Sequence, residues 1–315
     1  MPVHPQIQQI LDVFNRSRHD VDFNQLTPQM MRMATDQNRD SGVEREQVKK
    51  VENLSLPLEG RSIPIRIYTP EGHAPFPALV YYHGGGFVIG NLETVDSVCR
   101  NFANNAKCVV ISIDYRLAPE HPFPAGLEDA YDSLLYISNH ANQFGINPSQ
   151  IAVGGDSAGA NFAAVVSLMA KERQAPSIVF QLLINPAVGI VDTDLYPSMQ
   201  ENASGYLLDV KLLNWFLGHY IPPAADRQNP YLDPINGADL TGLPPAMVIT
   251  ATAEYDPLRD GGKTYADKLR ESGVDVIYRN EKGMIHSYTG FHTFIKQAQE
   301  SLDEMSAQLR KAFKM

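Results

Sequence analysis

Short apolar runs alternate with amphipathic segments from about residue 63 onward. Such an alternation predicts strands joined by crossover helices, which form a mostly parallel sheet covered by helices. The runs that predict strands are 63–68, 78–82, 108–113, 151–154, 178–184, 246–250 and 274–279. Helical periodicity predicts helices at about 92–105, 126–140, 158–172, 261–271 and 291–313. The pattern therefore predicts the α/β class.

Two stretches do not follow this alternation. One is the N-terminal stretch, and the other is a segment of about 60 residues between 184 and 246, longer than a single crossover needs. Their apolar helical faces comprise Ile7, Ile10, Leu11 and Phe14, then Met30, Met31 and Met33, and in the second stretch Leu208, Leu212, Trp215 and Phe216. The two stretches either pack together as a helical cap over a pocket or complete the core.

The preferred organisation is one catalytic domain that is interrupted by an insertion. In it, residues 1–45 form the N-terminal helical part of a cap and residues 191–240 form its inserted part. Residues 46–190 and 241–315 are then the first and second parts of the catalytic domain.

Charge and composition narrow the class of partner. The chain has 315 residues, 43% of them hydrophobic, and its 26 basic and 36 acidic residues give a formal net charge of −10. Because nucleic acids and anionic membranes bind basic surfaces, we expect a small-molecule partner and no nucleic acid. The sequence has neither a signal-peptide pattern nor an apolar run of about 18 residues. A cytoplasmic protein without a membrane span is therefore expected.

Cysteine and histidine usage indicates neither disulfides nor a metal centre. The two cysteines, Cys99 and Cys108, cannot form a disulfide framework and are not spaced as a C-x-x-C pair. The nine histidines are scattered, with no spacing typical of a metal site. We therefore expect chemistry that needs no cofactor and no metal.

A G-x-S-x-G motif at residues 155–159 is the strongest chemical signal. It follows an apolar strand and opens a helical stretch, which is the context of a nucleophile elbow. A serine at such a turn has unfavourable backbone angles, and its hydroxyl projects into the open. Ser157 is the predicted nucleophile, and the neighbouring Asp156 is predicted to hold the elbow or nearby loops.

Three glycines follow the strand at 78–82, directly after His83. A glycine loop can aim its N–H groups at one atom, and such donors stabilise the oxyanion of an acyl-transfer intermediate. We predict that the N–H groups of Gly84, Gly85 and Ala158 form this oxyanion hole. His83 is predicted to brace the loop.

A serine nucleophile needs a base and a carboxylate that orients the base. After Ser157 the remaining histidines are His219, His286 and His292. His286 is preferred because it follows a strand through a loop, whereas the other two lie in predicted helices. Asp256, just beyond the strand at 246–250, is the preferred acid. The other acidic residues there are Glu254, which is the alternative acid, and Asp260, which is predicted to cap the next helix.

These motifs together resemble the hormone-sensitive-lipase-like family of carboxylesterases, bacterial family IV of the α/β-hydrolase fold. The segments that carry the resemblance are HGGGF at 83–87, DYRLAPEHPFPA at 114–125, GDSAG at 155–159, and DPLRD at 256–260 together with His286. The chain departs from many relatives at Ser287-Tyr288, where they carry Gly-Phe. The resemblance implies a sheet of about eight strands with a helical cap. It also implies the same catalytic residues and a serine carboxylesterase that acts through an acyl-enzyme.

Substrate and assembly are predicted less directly. An apolar capped pocket indicates esters with short to medium acyl chains, and its predicted lining is Phe87, Met30, Leu208, Trp215, Phe216 and Leu258. An amidase or peptidase could use the same triad. A binding-only receptor also remains an alternative, although the receptors that resemble this family have lost the histidine. Relatives dimerise through an edge strand, which leaves a homodimer open for this chain.

Overall fold

The computed structural model describes residues 2–18, 23, 25–37, 45–250 and 255–315. In this part of the chain one sheet has eight strands, in the order β1-β2-β4-β3-β5-β6-β7-β8. The strands are β1 (Lys50–Leu58), β2 (Arg61–Thr69), β3 (Phe76–Tyr82), β4 (Val109–Ile113), β5 (Ile146–Asp156), β6 (Phe180–Ile184), β7 (Ala246–Thr250) and β8 (Val276–Asn280). Strand β2 is antiparallel to both of its neighbours, and the remaining pairs are parallel. The predicted fold class is confirmed.

Helices connect the parallel strands, and others lie before β1 and after β8. Those in the described residues are α1 (Pro5–Arg18), α2 (Pro28–Gln37), α3 (Asp96–Ala106), α4 (Ala125–Asn139), α5 (Ala158–Glu172), α6 (Pro197–Glu201), α7 (Val210–Tyr220), α8 (Arg259–Glu271) and α9 (Lys296–Ala312). The last helix begins later than predicted, because a 3₁₀ turn at Tyr288–Phe291 precedes it. All the predicted helices are otherwise found close to their expected places.

Strand β1 was not predicted from the sequence. It lies at the edge of the sheet and pairs with β2 alone. Leu56 is buried in it, whereas Leu54 is exposed and Ser55, which lies between them, is polar. An edge strand that is half solvated lacks the continuous apolar run of the central strands, so this pattern was too weak to detect.

Alternating side chains of the sheet enter two separate cores. In β3, Val80 and Tyr82 pack into the larger core, whereas Leu79 and Tyr81 pack into the core on the other face. This alternation follows from the pleat, which points successive side chains to opposite faces. We refer to them as the Tyr82-side core and the Tyr81-side core.

Each of the two stretches outside the alternation buries part of a helix in one of the cores. Helix α1 buries Ile7 and Leu11 in the Tyr81-side core. Helix α7 buries Leu213 and Phe216 in the Tyr82-side core. Both stretches therefore contribute to the core, and each also contributes side chains to the cavity described below.

Candidate active site

Ser157 lies at the sharp turn between β5 and α5. Its φ and ψ are 55° and −118°, a conformation that a residue with a Cβ rarely adopts. Its N–H donates to the carbonyl of Ile184 at 2.8 Å, and its carbonyl accepts from the N–H of Ala187 at 3.0 Å. Gly159 permits the close approach, because a Cβ there would lie 1.9 Å from the carbonyl oxygen of Tyr82. The surrounding backbone thus holds the strained serine in place.

The structure brings Ser157, His286 and Asp256 into one hydrogen-bonded chain. His286 Nε2 is 2.9 Å from Ser157 Oγ, and His286 Nδ1 is 2.8 Å from Asp256 Oδ2. Burial increases along the chain, with 8% of Ser157, 5% of His286 and 1% of Asp256 exposed. A hydroxyl, an imidazole and a carboxylate are therefore hydrogen-bonded in sequence, which is the arrangement that a serine nucleophile, its base and an orienting acid require.

Two further donors fix the Asp256 carboxylate. The side-chain amide of Asn185 donates to Oδ2 at 2.8 Å, and the backbone N–H of Leu258 donates to Oδ1 at 2.9 Å. Sequence reasoning did not identify Asn185. Its place at the end of β6, beside the ends of β5 and β7, is the signal that could have identified it.

Opposing effects set the ionisation of Asp256 and His286. Burial raises the pKa of the Asp256 carboxyl, but the charge and hydrogen bond of His286 and the donors from Leu258 and Asn185 bring it below 3.8. Burial lowers the pKa of His286, but the charge and hydrogen bond of Asp256 bring it above 6.5. The geometry thus favours a carboxylate beside an imidazole of raised basicity.

We expect kcat/KM for ester hydrolysis to fall as the pH decreases through the pKa of His286. Only the neutral imidazole can accept the Ser157 proton, and the raised pKa places the midpoint above the ordinary value of 6.5. Initial rates on a p-nitrophenyl ester, measured across pH at constant ionic strength, give this midpoint. A midpoint at or below 6.5 would contradict the role of Asp256 in raising it.

The prediction that the N–H of Gly84 is an oxyanion donor is wrong. Its N–H donates to Asp156 Oδ1 at 3.1 Å, so it is not directed at a substrate. Gly85 and the next residue, Gly86, line a cavity together with Ser157. Within the described part of the chain, no protein acceptor takes the N–H of Gly85, Gly86 or Ala158. These three amides, rather than that of Gly84, are the candidate oxyanion donors.

The glycine loop is braced from both sides, as predicted for His83. The His83 ring stacks on Tyr115 with ring centroids 4.2 Å apart, and its Nδ1 is 2.7 Å from the carbonyl oxygen of Gly84. The Tyr115 hydroxyl donates to the carbonyl of His83 at 2.6 Å. On the other side the N–H of Ala118 donates to the carbonyl of Phe87 at 2.9 Å. The segment 114–125 therefore supports the loop.

Helix α2 is fastened to the same loop by Arg32. Its Nε donates to the carbonyl of Val88 at 2.9 Å, and its Nη2 donates to the carbonyl of Ala118 at 2.8 Å. The guanidinium also pairs with Glu120 at 3.0 and 2.8 Å. Such a bidentate pair fixes orientation as well as distance. Helix α2 is thus held against the end of the glycine loop and the segment that supports it.

An apolar cavity of about 760 Å³ opens beside Ser157 and His286. Of the predicted lining residues, Phe87, Leu208 and Phe216 line it. The rest of its wall is mostly apolar, and α1, α2 and α7 contribute Phe14, Met31, Ala34, Leu212 and Leu213 to it. Its volume lies within the range of about 300–1,000 Å³ typical of small-molecule sites.

The other predicted lining residues lie outside the cavity wall. Met30 is 54% exposed on the outer face of α2, and the adjacent Met31 faces the cavity instead. Trp215 donates its indole N–H to the carbonyl of Leu26 at 3.2 Å and packs on Phe216 from outside the wall. Leu258 is buried in the Tyr82-side core, next to the acid.

The remaining candidate residues have other contacts. Asp260 does not cap α8, since this helix begins one residue earlier and Asp260 Oδ2 accepts from the N–H of Ser198 at 2.8 Å, at the start of α6. His292 is bonded to Ser97 and to the carbonyl of Thr289, and His219 packs edge-on against Trp215. Glu254 lies outside the described residues.

Neither a metal centre nor a membrane span is found in the part of the chain that the structure describes. No three His, Cys, Asp or Glu side chains are grouped there so as to hold a metal ion. None of its helices combines the length and the apolar character needed to cross a bilayer.

Comparison with known proteins identifies the family. A family model described as the alpha/beta hydrolase fold matches residues 79–290. The carboxylesterase NlhH of Mycobacterium tuberculosis is 41% identical over 84% of this chain and 83% of its own. The arylesterase of Saccharolobus solfataricus is 35% identical over 92% of this chain and 93% of its own.

Solved structures agree with this identification. The hyperthermophilic esterase of Pyrobaculum calidifontis superposes with a TM-score of 0.92 at 38% identity, and 99% of each chain is covered. The ester hydrolase EH1AB1 from the Lake Arreo metagenome gives 0.93 at 39% identity, covering 99% of this chain and 100% of its own. The chain therefore belongs to the hormone-sensitive-lipase-like family IV carboxylesterases of the α/β-hydrolase fold.

Proposed function

We propose that this carboxylic ester hydrolase cleaves short- to medium-chain acyl esters through an acyl-enzyme on Ser157. In this proposal His286 is the general base and acid, and Asp256 orients it. The hydrogen-bonded chain from Ser157 Oγ through His286 to the buried Asp256 carboxylate is the observation that carries the proposal. The names of the esterase relatives support the same reaction class.

The reaction proceeds by two-step acyl transfer. Ser157 Oγ attacks the ester carbonyl while His286 Nε2 takes its proton, and the N–H groups of Gly85, Gly86 and Ala158 stabilise the oxyanion. His286 then protonates the departing alcohol, which leaves the acyl group on the serine. Water attacks this acyl group with His286 again acting as base. No cofactor takes part in either step.

The shape of the cavity supports the choice of substrate. Its wall is mostly apolar, with contributions from α1, α2 and α7, and its volume of about 760 Å³ limits the length of the acyl chain that it accepts. In this proposal residues 1–45 and 191–240 act together as the cap on a catalytic domain made of 46–190 and 241–315. Cys99 and Cys108 are buried and unpaired, which suits action in the reducing cytoplasm.

A series of p-nitrophenyl esters from acetyl to palmitoyl, with a matched p-nitroanilide, tests the proposal on the wild-type protein. We expect kcat/KM to peak at short or medium acyl chains and to be larger for the ester than for the anilide. A maximum at palmitoyl would contradict the chain length. A higher kcat/KM for the anilide would favour an amidase, and the absence of any turnover would favour a receptor.

A further inference from the structure

A second cavity, of about 200 Å³, adjoins the substrate cavity. Thr35, Gly85, Ile89 and Ser287 line both. The smaller cavity therefore meets the larger one at the glycine loop and at the residue that follows His286. We refer to it as the side cavity.

The side cavity runs from the surface to the immediate neighbours of the catalytic residues. Its lining includes Asp156, which directly precedes Ser157, and the Asp156 carboxylate accepts hydrogen bonds from the hydroxyl of Tyr81 and the N–H of Gly84, both at 3.1 Å. Exposed residues at its rim include Thr94 and Gly290. A path with several polar groups among apolar side chains and glycines thus leads from solvent toward the atoms that react.

The two cavities differ in the polar groups that line them, and therefore in whether they favour water or an apolar acyl chain. The substrate cavity is apolar, and a bound acyl chain would displace water from it. The wall of the side cavity carries the Asp156 carboxylate and the hydroxyl-bearing residues Thr94, Ser287 and Thr289. Liquid water takes about 30 Å³ per molecule, so a space of this size accommodates several. Water can therefore enter there while an acyl chain fills the larger cavity.

We propose that the side cavity is the route by which water reaches the acyl-enzyme. The inference rests on the proposed function, because it assigns the source of the water in the second step. The water oxygen bonds to the acyl carbon as one of its protons passes to His286 Nε2. The bond from that carbon to Ser157 Oγ then breaks, and His286 returns the proton to Oγ, which releases the acid.

Two substitutions narrow the route from independent walls. Gly290→Leu adds a side chain at the exposed rim, where a Cβ would meet no atom within 4 Å. Val98→Phe enlarges a buried side chain of α3 that lines the cavity. Neither residue contacts the substrate in the proposed reaction. The first variant has space for its side chain, so it remains informative if the second fails to fold.

We expect kcat for a p-nitrophenyl ester to fall about tenfold in Gly290→Leu while kcat/KM stays unchanged, because only deacylation is slowed. A stopped-flow burst of one p-nitrophenol per active site should appear, and mass spectrometry of quenched samples should find the acyl group on Ser157. Several esters with a common acyl group and different alcohols should converge on one reduced kcat. Gly218→Leu, at an exposed glycine of α7 with no atom within 4 Å of its Cβ, is the matched control.

Two results would overturn the route. Unchanged kcat without a burst in Gly290→Leu would show that water enters elsewhere. Changes in kcat/KM that depend on the alcohol would show that the side cavity binds the leaving group instead. A failure of the proposed function is distinct from both, since the wild-type protein would then not turn over p-nitrophenyl esters, or would turn them over equally well with alanine in place of Ser157.

Discussion

Ser157→Ala is expected to lower kcat for ester hydrolysis about 10⁴- to 10⁶-fold, because it removes the atom that attacks the carbonyl. Within the described residues, the hydrogen-bond partner of this hydroxyl is His286 Nε2, at 2.9 Å. Alanine keeps a Cβ, so the strained backbone at this position is unchanged. The fold should therefore remain while the activity is lost, as measured with p-nitrophenyl butyrate on proteins purified side by side.

Ser167→Ala supplies the matched control for this loss. Ser167 is buried in α5, the helix that follows Ser157, and its hydroxyl donates to the carbonyl of Ala163 at 2.8 Å. We expect near wild-type kcat from this variant. Circular dichroism and thermal unfolding establish whether each protein is folded. A folded Ser157→Ala protein with wild-type turnover would refute the choice of nucleophile.

The hydrogen-bonded arrangement of Ser157, His286 and Asp256 could be predicted because strand ends gather at one edge of a parallel sheet. Ser157 follows β5, Asp256 comes after β7, and His286 comes after β8. Each position can be read from a local apolar run and the motif that follows it. Because the carboxyl ends of parallel strands lie side by side, the separate motifs converge without any knowledge of long-range contacts.

The choice of candidate oxyanion donors depends on a contact that local patterns do not contain. Gly84 and Gly86 are equivalent as loop glycines, and only the partner of each amide distinguishes them. That partner is Asp156, 72 positions from Gly84 in the chain. Because the Asp156 carboxylate accepts from the N–H of Gly84, the candidate donors in the loop are Gly85 and Gly86 instead of Gly84 and Gly85.

The cavity wall was predicted in part for a related reason. Apolar spacing in α2 includes both Met30 and Met31, but successive helical residues differ in direction by about 100°, so only one faces inward. The contacts of Arg32 with the glycine loop set the rotation of this helix. Trp215 is similarly turned toward Leu26. Helical periodicity identifies the apolar face of a helix, whereas the packing of the helix against the rest of the protein decides which residues of that face line the cavity.

Asp256→Asn is expected to lower kcat/KM about 10³- to 10⁴-fold. The amide is nearly isosteric but uncharged, and it cannot stabilise the imidazolium that forms when His286 takes the Ser157 proton. The charge and hydrogen bond of Asp256 also raise the pKa of His286 against the effect of burial. Without that charge, burial prevails, and the acid limb of the remaining activity should move to lower pH. The kcat/KM of both proteins across pH measures the two effects together.

Glu254→Gln and Asp260→Asn distinguish the role of Asp256 from that of the two other carboxylates in the same segment of the sequence. Asp260 accepts from the N–H of Ser198 and pairs with Arg259, so its loss should lower the unfolding temperature and leave the acid limb in place. Glu254→Gln should retain both activity and pH profile. If Glu254→Gln abolished turnover while Asp256→Asn kept it, the orienting acid would be Glu254. If Asp256 acts through His286, then of the three variants only Asp256→Asn should lose kcat/KM and have its acid limb shifted to lower pH.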